Sequence, residues 1–159
     1  MPVYSCEGIV LRATRIEEAD RLVHFFTDRF GRIRARIRGV AKTTSRFGSV
    51  AEPLSHDRLS LYKPREDRAF FSLTGAALIN AHEKLRNDLE KYYAACFILE
   101  LVDSCTQDGD PHYNLWLALL ETLHLLKEGE KTGGLLLAFE LVVFREAGLA
   151  MNFGQCAGC

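Results

Sequence analysis

The chain has 159 residues, 48% of them hydrophobic, so it is long enough to bury a core. Its longest apolar run, residues 135–144, contains Glu140 and is shorter than the about 20 residues of a membrane-spanning helix. We see no signal-peptide pattern and no disulfide-like spacing among the five cysteines, so we expect a reduced, cytoplasmic protein that binds no membrane.

The net charge of −1 averages two segments of opposite sign. Residues 1–82 contain 14 Lys and Arg against 9 Asp and Glu, a charge of +5. Residues 83–159 contain 6 against 12, a charge of −6. This asymmetry predicts a positive surface on the first half, which would attract polyanions.

Short runs rich in β-branched and apolar residues, separated by turn residues such as Gly31 and Pro64, predict two hairpins and five strands in the first half. The predicted strands cover residues 6–14, 21–27, 32–40, 59–62 and 68–73. Because closure removes exposed edges from so small a sheet, this pattern favours a five-stranded OB-fold barrel over residues 1–80.

Apolar residues at helical spacing predict helices over the second half. The predicted helices cover residues 85–107, 115–127 and 135–147. Residues 92–99 are apolar almost all round, which is typical of a helix at the centre of a bundle. The predicted fold class is therefore α+β with segregated elements, in which an all-α helical domain over residues 81–159 follows the barrel.

The most informative segment is residues 29–51, which has seven basic residues and no acidic one. Alternate side chains of a strand face opposite ways, so four of its arginines would line the outside of the barrel. These are Arg32, Arg34, Arg36 and Arg38. Because like charges on one face repel, the row favours a bound polyanion, and the guanidinium fork suits phosphate. The alternative is a solvated strand whose arginines pair with acidic residues of neighbouring strands.

The loop that follows adds Lys42, Arg46 and several hydroxyl groups, which commonly contact phosphates. With the four arginines, Lys42 and Arg46 complete the predicted nucleic-acid-binding site. Phe47 fits two interpretations, a base-stacking residue or a packing anchor.

The chain ends in Cys156-Ala157-Gly158-Cys159, a spacing that resembles one half of a zinc ribbon. A structural zinc ion needs four ligands, usually two such pairs, and no second pair follows. Cys156 and Cys159 are therefore a predicted metal half site. We expect no closed zinc site in this sequence, and zinc would be a cofactor only of a longer chain.

Motifs for phosphate-binding loops, dinucleotide folds, zinc hydrolases, serine hydrolases and zinc deaminases are absent from the sequence. Nothing in the pattern supplies a nucleophile. We therefore predict that the protein is not an enzyme.

Several short motifs stand in the order of a known family. They are EGIVLR at 7–12, DRLV at 20–23, GRIRARIRGV at 31–40, SRFG at 45–48, EPL at 52–54 and LSLY at 59–62. Together with the cysteine pair they resemble the bacterial recombination mediator RecO over essentially the whole chain. Zinc-bearing members of that family continue to a second cysteine pair and further helices, so we expect this chain to be part of a longer protein.

The resemblance implies an OB barrel and a helical domain that bind single- and double-stranded DNA and promote annealing without breaking bonds. It also implies two protein partners, RecR and single-stranded DNA-binding protein. With them, a family member helps RecA replace single-stranded DNA-binding protein on DNA during repair and recombination, at the bacterial nucleoid. The predicted basic strand and loop fall on the family's DNA-binding barrel.

Two other functions fit the same residues. An RNA-binding OB module would use the same arginine row, because a basic face does not distinguish the sugar. A protein-interaction adaptor would instead use the helical half to present an apolar groove to a partner's peptide.

Overall fold

The computed structural model describes residues 3–40, 47, 49–63, 70–156 and 158. Within these residues the strands all precede the α-helices, which confirms the predicted α+β class. The strands are β1 (Val3–Arg15), β2 (Arg21–Thr27), β3 (Gly31–Ile37), β4 (His56–Tyr62) and β5 (Phe71–Asn80). The helices are α1 (Glu83–Arg86), α2 (Leu89–Cys105), α3 (Tyr113–Glu128) and α4 (Thr132–Glu146).

The five strands close into a barrel, as predicted, and their order around it is β1-β2-β3-β5-β4. Neighbouring strands are antiparallel except β3 and β5, which run parallel. The β3–β5 ladder is short and joins only Ala35 and Arg36 to Phe71 and Ser72. The first half of β3 therefore has no hydrogen-bonded partner in β5.

The ends of four strands differ from the prediction, and β1 begins three residues earlier, at Val3. β3 ends at Ile37 rather than at residue 40, because the chain turns at Gly39, which has a positive φ of 67°. β4 begins at His56 and β5 continues to Asn80, so this hairpin is longer than predicted. A register shift between Ser60 and Leu61 interrupts the alternation of inward and outward side chains, which is the pattern from which strands are predicted.

The first predicted helix is divided in two. Asp88 caps the N-terminus of α2 by accepting a hydrogen bond from the backbone N–H of Lys91 at 3.2 Å. The predicted burial of residues 92–99 on all sides is wrong, because Tyr93 and Phe97 are exposed while Ile98 and its neighbours on one face are buried. The apolar exposed face gave the misleading pattern.

The barrel and the helices share a second core outside the barrel interior. Ile9, Leu11 and Phe26, on the outer face of β1 and β2, pack with buried residues of α2 and α3. The ring of Phe26 lies 6.2 Å from that of Trp116. The helical half is thus fixed on the outside of the first two strands. No helix among the described residues is long and apolar enough to span a membrane.

Candidate nucleic-acid interface

The arginines of β3 point outward, as the alternation predicts. Their interior neighbours are buried, namely Ile33, Ala35 and Ile37. The exposed fraction of the side chain rises along the strand, from 21% in Arg32 to 32% in Arg34 and 36% in Arg36. Arg38 was predicted to be the fourth arginine on the outer face of this strand. This is wrong, because β3 ends at Ile37 and the exposed Arg38 lies just after it.

These arginines do not form an unpaired row. Arg32 pairs with Asp103 and Asp108, and the Nε of Arg34 lies 2.6 Å from Oδ2 of Asp108 in an ion pair without a directed hydrogen bond. Arg36 pairs with carboxylates of the β1–β2 loop. The assumption of unpaired, mutually repelling arginines, from which a bound polyanion was favoured, is therefore wrong for β3. Two of the four partners, Asp103 and Asp108, lie more than 70 residues away in sequence, and the other two lie in the β1–β2 loop. The alternative had placed the partners on neighbouring strands, and none of the four lies on one.

Asp103, near the end of α2, is the centre of an ion cluster between the two halves of the molecule. Its buried carboxylate lies 2.9 Å from Nε of Arg12, 2.9 Å from Nδ1 of His24 and 3.3 Å from Nη1 of Arg32. The strand register accounts for part of this convergence, because Arg12 is opposite His24. Arg32 lies on the same face of β3 as Arg34, the residue opposite His24. None of this cluster except Arg32 was predicted as a site residue.

The β1–β2 loop is fixed beside the end of β3 by Asp20. The backbone N–H of Gly39 donates to Asp20 at 3.0 Å, and Arg36 donates to it at 2.9 and 2.7 Å. The Gly39 N–H and the Arg36 guanidinium hold the pKa of the Asp20 carboxyl below its usual value. The bond to Asp20 raises the pKa of Arg36, which stays charged beside an ionised carboxylate.

Three further arginines lie where β2 begins and β3 ends. Arg15 is opposite Arg21 in the β1–β2 ladder, and Arg21 is opposite Ile37 in the next. Arg15 donates to the backbone carbonyls of Glu17 and Glu18, and Arg38 is exposed. We call Arg15, Arg21 and Arg38 the basic rim. No carboxylate of the described residues forms an ion pair with them.

Two of the predicted site residues, Lys42 and Arg46, lie outside the described residues, in the segment that follows the basic rim. Phe47 is partly buried and packs against the barrel core, which favours the packing interpretation over base stacking.

Cys156 is exposed, and Cys159 lies outside the described residues. The backbone N–H of Gly158 lies 3.4 Å from Sγ of Cys156. Within the described part of the chain, no three His, Cys, Asp or Glu side chains are grouped so that they could hold a metal ion. The described residues thus do not by themselves fit a structural zinc ion.

A closed five-stranded barrel in this order with helices packed on β1 and β2 defines an OB-fold protein with an appended helical half. The family described as Recombination protein O N terminal matches residues 1–82, and the one described as Recombination protein O C terminal matches residues 86–159. The chain belongs to the RecO family of DNA repair proteins, which confirms the resemblance seen in its motifs.

Comparison of the whole chain with individual relatives agrees. The chain is 38% identical to DNA repair protein RecO of Frankia casuarinae, with 100% of the chain and 65% of the relative aligned. It is 36% identical to the protein of the same name from Nocardioides sp., with 99% of the chain and 64% of the relative aligned. It is 33% identical to that of Pelotomaculum thermopropionicum, with 100% of the chain and 60% of the relative aligned. The chain therefore spans about two thirds or less of the length of these relatives.

Proposed function

We propose that this chain is the DNA-binding part of a recombination mediator. It binds single- and double-stranded DNA, anneals complementary strands and helps load RecA onto DNA coated with single-stranded DNA-binding protein. RecR and single-stranded DNA-binding protein are its proposed partners, at the nucleoid in the cytoplasm, and no covalent bond is made or broken. Residues 1–80 form the proposed DNA-binding domain and residues 81–159 the helical domain.

The observation that carries the proposal is the unequal covering of the β2–β3 face, the face on which OB folds bind oligonucleotides. At one end of this face Phe26 and His24 are buried against the helical half. At the other end Arg36 is more exposed, and the basic rim follows. A polyanion can therefore approach this face from its basic end, where its phosphates would meet guanidinium groups.

The ion pairs distinguish the three arginines of β3 from Arg38. Arg32, Arg34 and Arg36 are matched by carboxylates in the unbound protein. Arg38 is exposed and has no ion-pair partner among the described carboxylates, and Lys42 and Arg46 follow it within a few residues. We propose that Arg38, Lys42 and Arg46 make the first phosphate contacts, since no ion pair of Arg38 has to be broken.

Strand annealing tests this function. Two complementary oligodeoxynucleotides, labelled with a donor and an acceptor fluorophore, are mixed at low salt with and without the protein. We expect the protein to accelerate annealing at least about tenfold, because a cationic surface that holds both strands screens their repulsion. A matched pair of RNA strands is the competitor. A rate equal to that of the strands alone would contradict the proposal, and preference for RNA would favour the RNA-binding module.

A further inference from the structure

The loop between α2 and α3 lies along the half of β3 that β5 leaves unpaired. The backbone N–H of Gly109 donates to the carbonyl oxygen of Arg32 at 2.9 Å, and Arg32 and Asp108 form an isolated β-bridge. Gly31 has a positive φ of 62°, and a Cβ there would lie 1.8 Å from the carbonyl oxygen of Asp110. The close approach of loop and strand therefore requires glycine at this position.

Asp108 presents its carboxylate to two arginines at once. Its Oδ1 lies 2.7 Å from Nε of Arg32, and its Oδ2 lies 2.6 Å from Nε of Arg34. Two guanidinium groups on two oxygens of one anion are also the arrangement by which arginines bind a phosphate group. The carboxylate is not sealed in, since 31% of the Asp108 side chain is exposed.

Asp103 and Asp108 are not equivalent. The side chain of Asp103 is 8% exposed and is contacted by Arg12, His24 and Arg32, so it stays in place as part of the interface. Asp108 lies in a loop, and two ion pairs join its carboxylate to β3, while the backbone N–H of the next residue, Gly109, donates to Arg32. Of the two, only the loop carboxylate can move away without separating the halves of the molecule.

We propose that Asp108 occupies the position of a DNA phosphate on Arg32 and Arg34, and that DNA displaces it when it binds. This inference rests on the proposed DNA-binding function and concerns the regulation of that surface. Asp108 thereby lowers the affinity of the barrel for DNA, because each bound strand must first release the internal anion.

Arg34 remains positioned when Asp108 leaves. Its guanidinium carbon lies 4.8 Å from the centre of the Phe70 ring, and Phe70 is 41% exposed. A guanidinium that lies over a ring keeps its N–H edge free to donate. Arg34 therefore becomes a phosphate ligand after displacement, and DNA extends its contact from the basic rim towards the start of β3.

The test compares Asp108→Asn with the matched control Asp110→Asn. Both remove one negative charge from the same loop, but Asp110 pairs with His112 and contacts no arginine of β3. In fluorescence anisotropy with labelled oligothymidine, we expect Asp108→Asn to bind about 3- to 10-fold more tightly. The slope of log affinity against log salt should differ from that of the unmodified protein by less than about 0.7, the value of one phosphate contact on a single strand, because Arg34 meets a phosphate in both complexes. Asp110→Asn should change the affinity less than about twofold.

A second arm uses Arg34→Ala in both backgrounds. We expect it to weaken binding less than about twofold in the unmodified chain, because there the phosphate contact of Arg34 only replaces its ion pair with Asp108. In the Asp108→Asn chain, where no ion pair is lost on binding, we expect a loss of about fivefold or more. Circular dichroism and the melting temperature verify that each variant is folded. If Asp108→Asn binds like Asp110→Asn while the unmodified protein binds DNA, the displacement of Asp108 is refuted and the proposed function stands. If none of the proteins binds DNA, both are refuted.

Discussion

Replacing Arg38, Lys42 and Arg46 together by alanine is expected to weaken binding to single-stranded DNA by about 10- to 100-fold. Arg38 is exposed, and no carboxylate of the described residues forms an ion pair with it, so its charge is available to a phosphate. Lys42 and Arg46 follow in a segment with no acidic residue. The loss of three phosphate contacts should also reduce the slope of log affinity against log salt by about 2.

The matched control removes three cations from the helical half, Lys84, Lys131 and Arg145. All three are exposed, so the net charge changes equally without touching the barrel. Fluorescence anisotropy with labelled oligothymidine measures both triple variants, and thermal melting verifies that they are folded. An equal loss of affinity in both would mean that overall charge, and not the segment after β3, determines binding.

Replacing Asp103 by alanine is expected to lower the free energy of unfolding by about 3 kcal/mol. The substitution removes the buried carboxylate that Arg12, His24 and Arg32 share, and Arg32 keeps only its ion pair with Asp108. Removing one partner of a buried ion pair costs more than the pair contributes, and Asp103 connects the helical half to both β1 and β3 through Arg12 and Arg32.

Urea denaturation followed by circular dichroism measures this loss. Glu100→Ala is the control, because Glu100 is exposed on the same helix and its described side-chain contact is a weak one with Ser104, at 3.5 Å. We expect the control to lose less than about 0.5 kcal/mol. A similar small loss for Asp103→Ala would show that the cluster contributes little to the attachment of the helices.

Features set by local sequence could be predicted from the chain. Strand alternation placed Ile33 and Ile37 inside the barrel and Arg34 outside, and turn residues located both hairpins. Helical spacing located α3 and α4 to within three residues at either end. The end of β3 could not be predicted in the same way, because the exposed Arg38 continues the alternation although Gly39 turns the chain.

The partners of the arginines depend on tertiary structure and had no local signal. Asp103 and Asp108 lie more than 70 residues from Arg32, and they meet it only because α2 packs across β1 and β2. The β3–β5 ladder is short, so half of β3 has no partner in β5, and the α2–α3 loop covers that half. Charge counting along the chain finds the basic half and the acidic half but not the contacts between them.

The most direct test of the central claim, that the basic end of the barrel binds DNA phosphates, is the salt dependence of single-stranded DNA binding by the unmodified protein. Anisotropy of labelled oligothymidine is titrated at several salt concentrations from about 50 to 200 mM. We expect log affinity to fall linearly with log salt, with a slope that corresponds to several phosphate contacts. The absence of binding at the lowest salt concentration, or an affinity that does not change with salt, would contradict the claim.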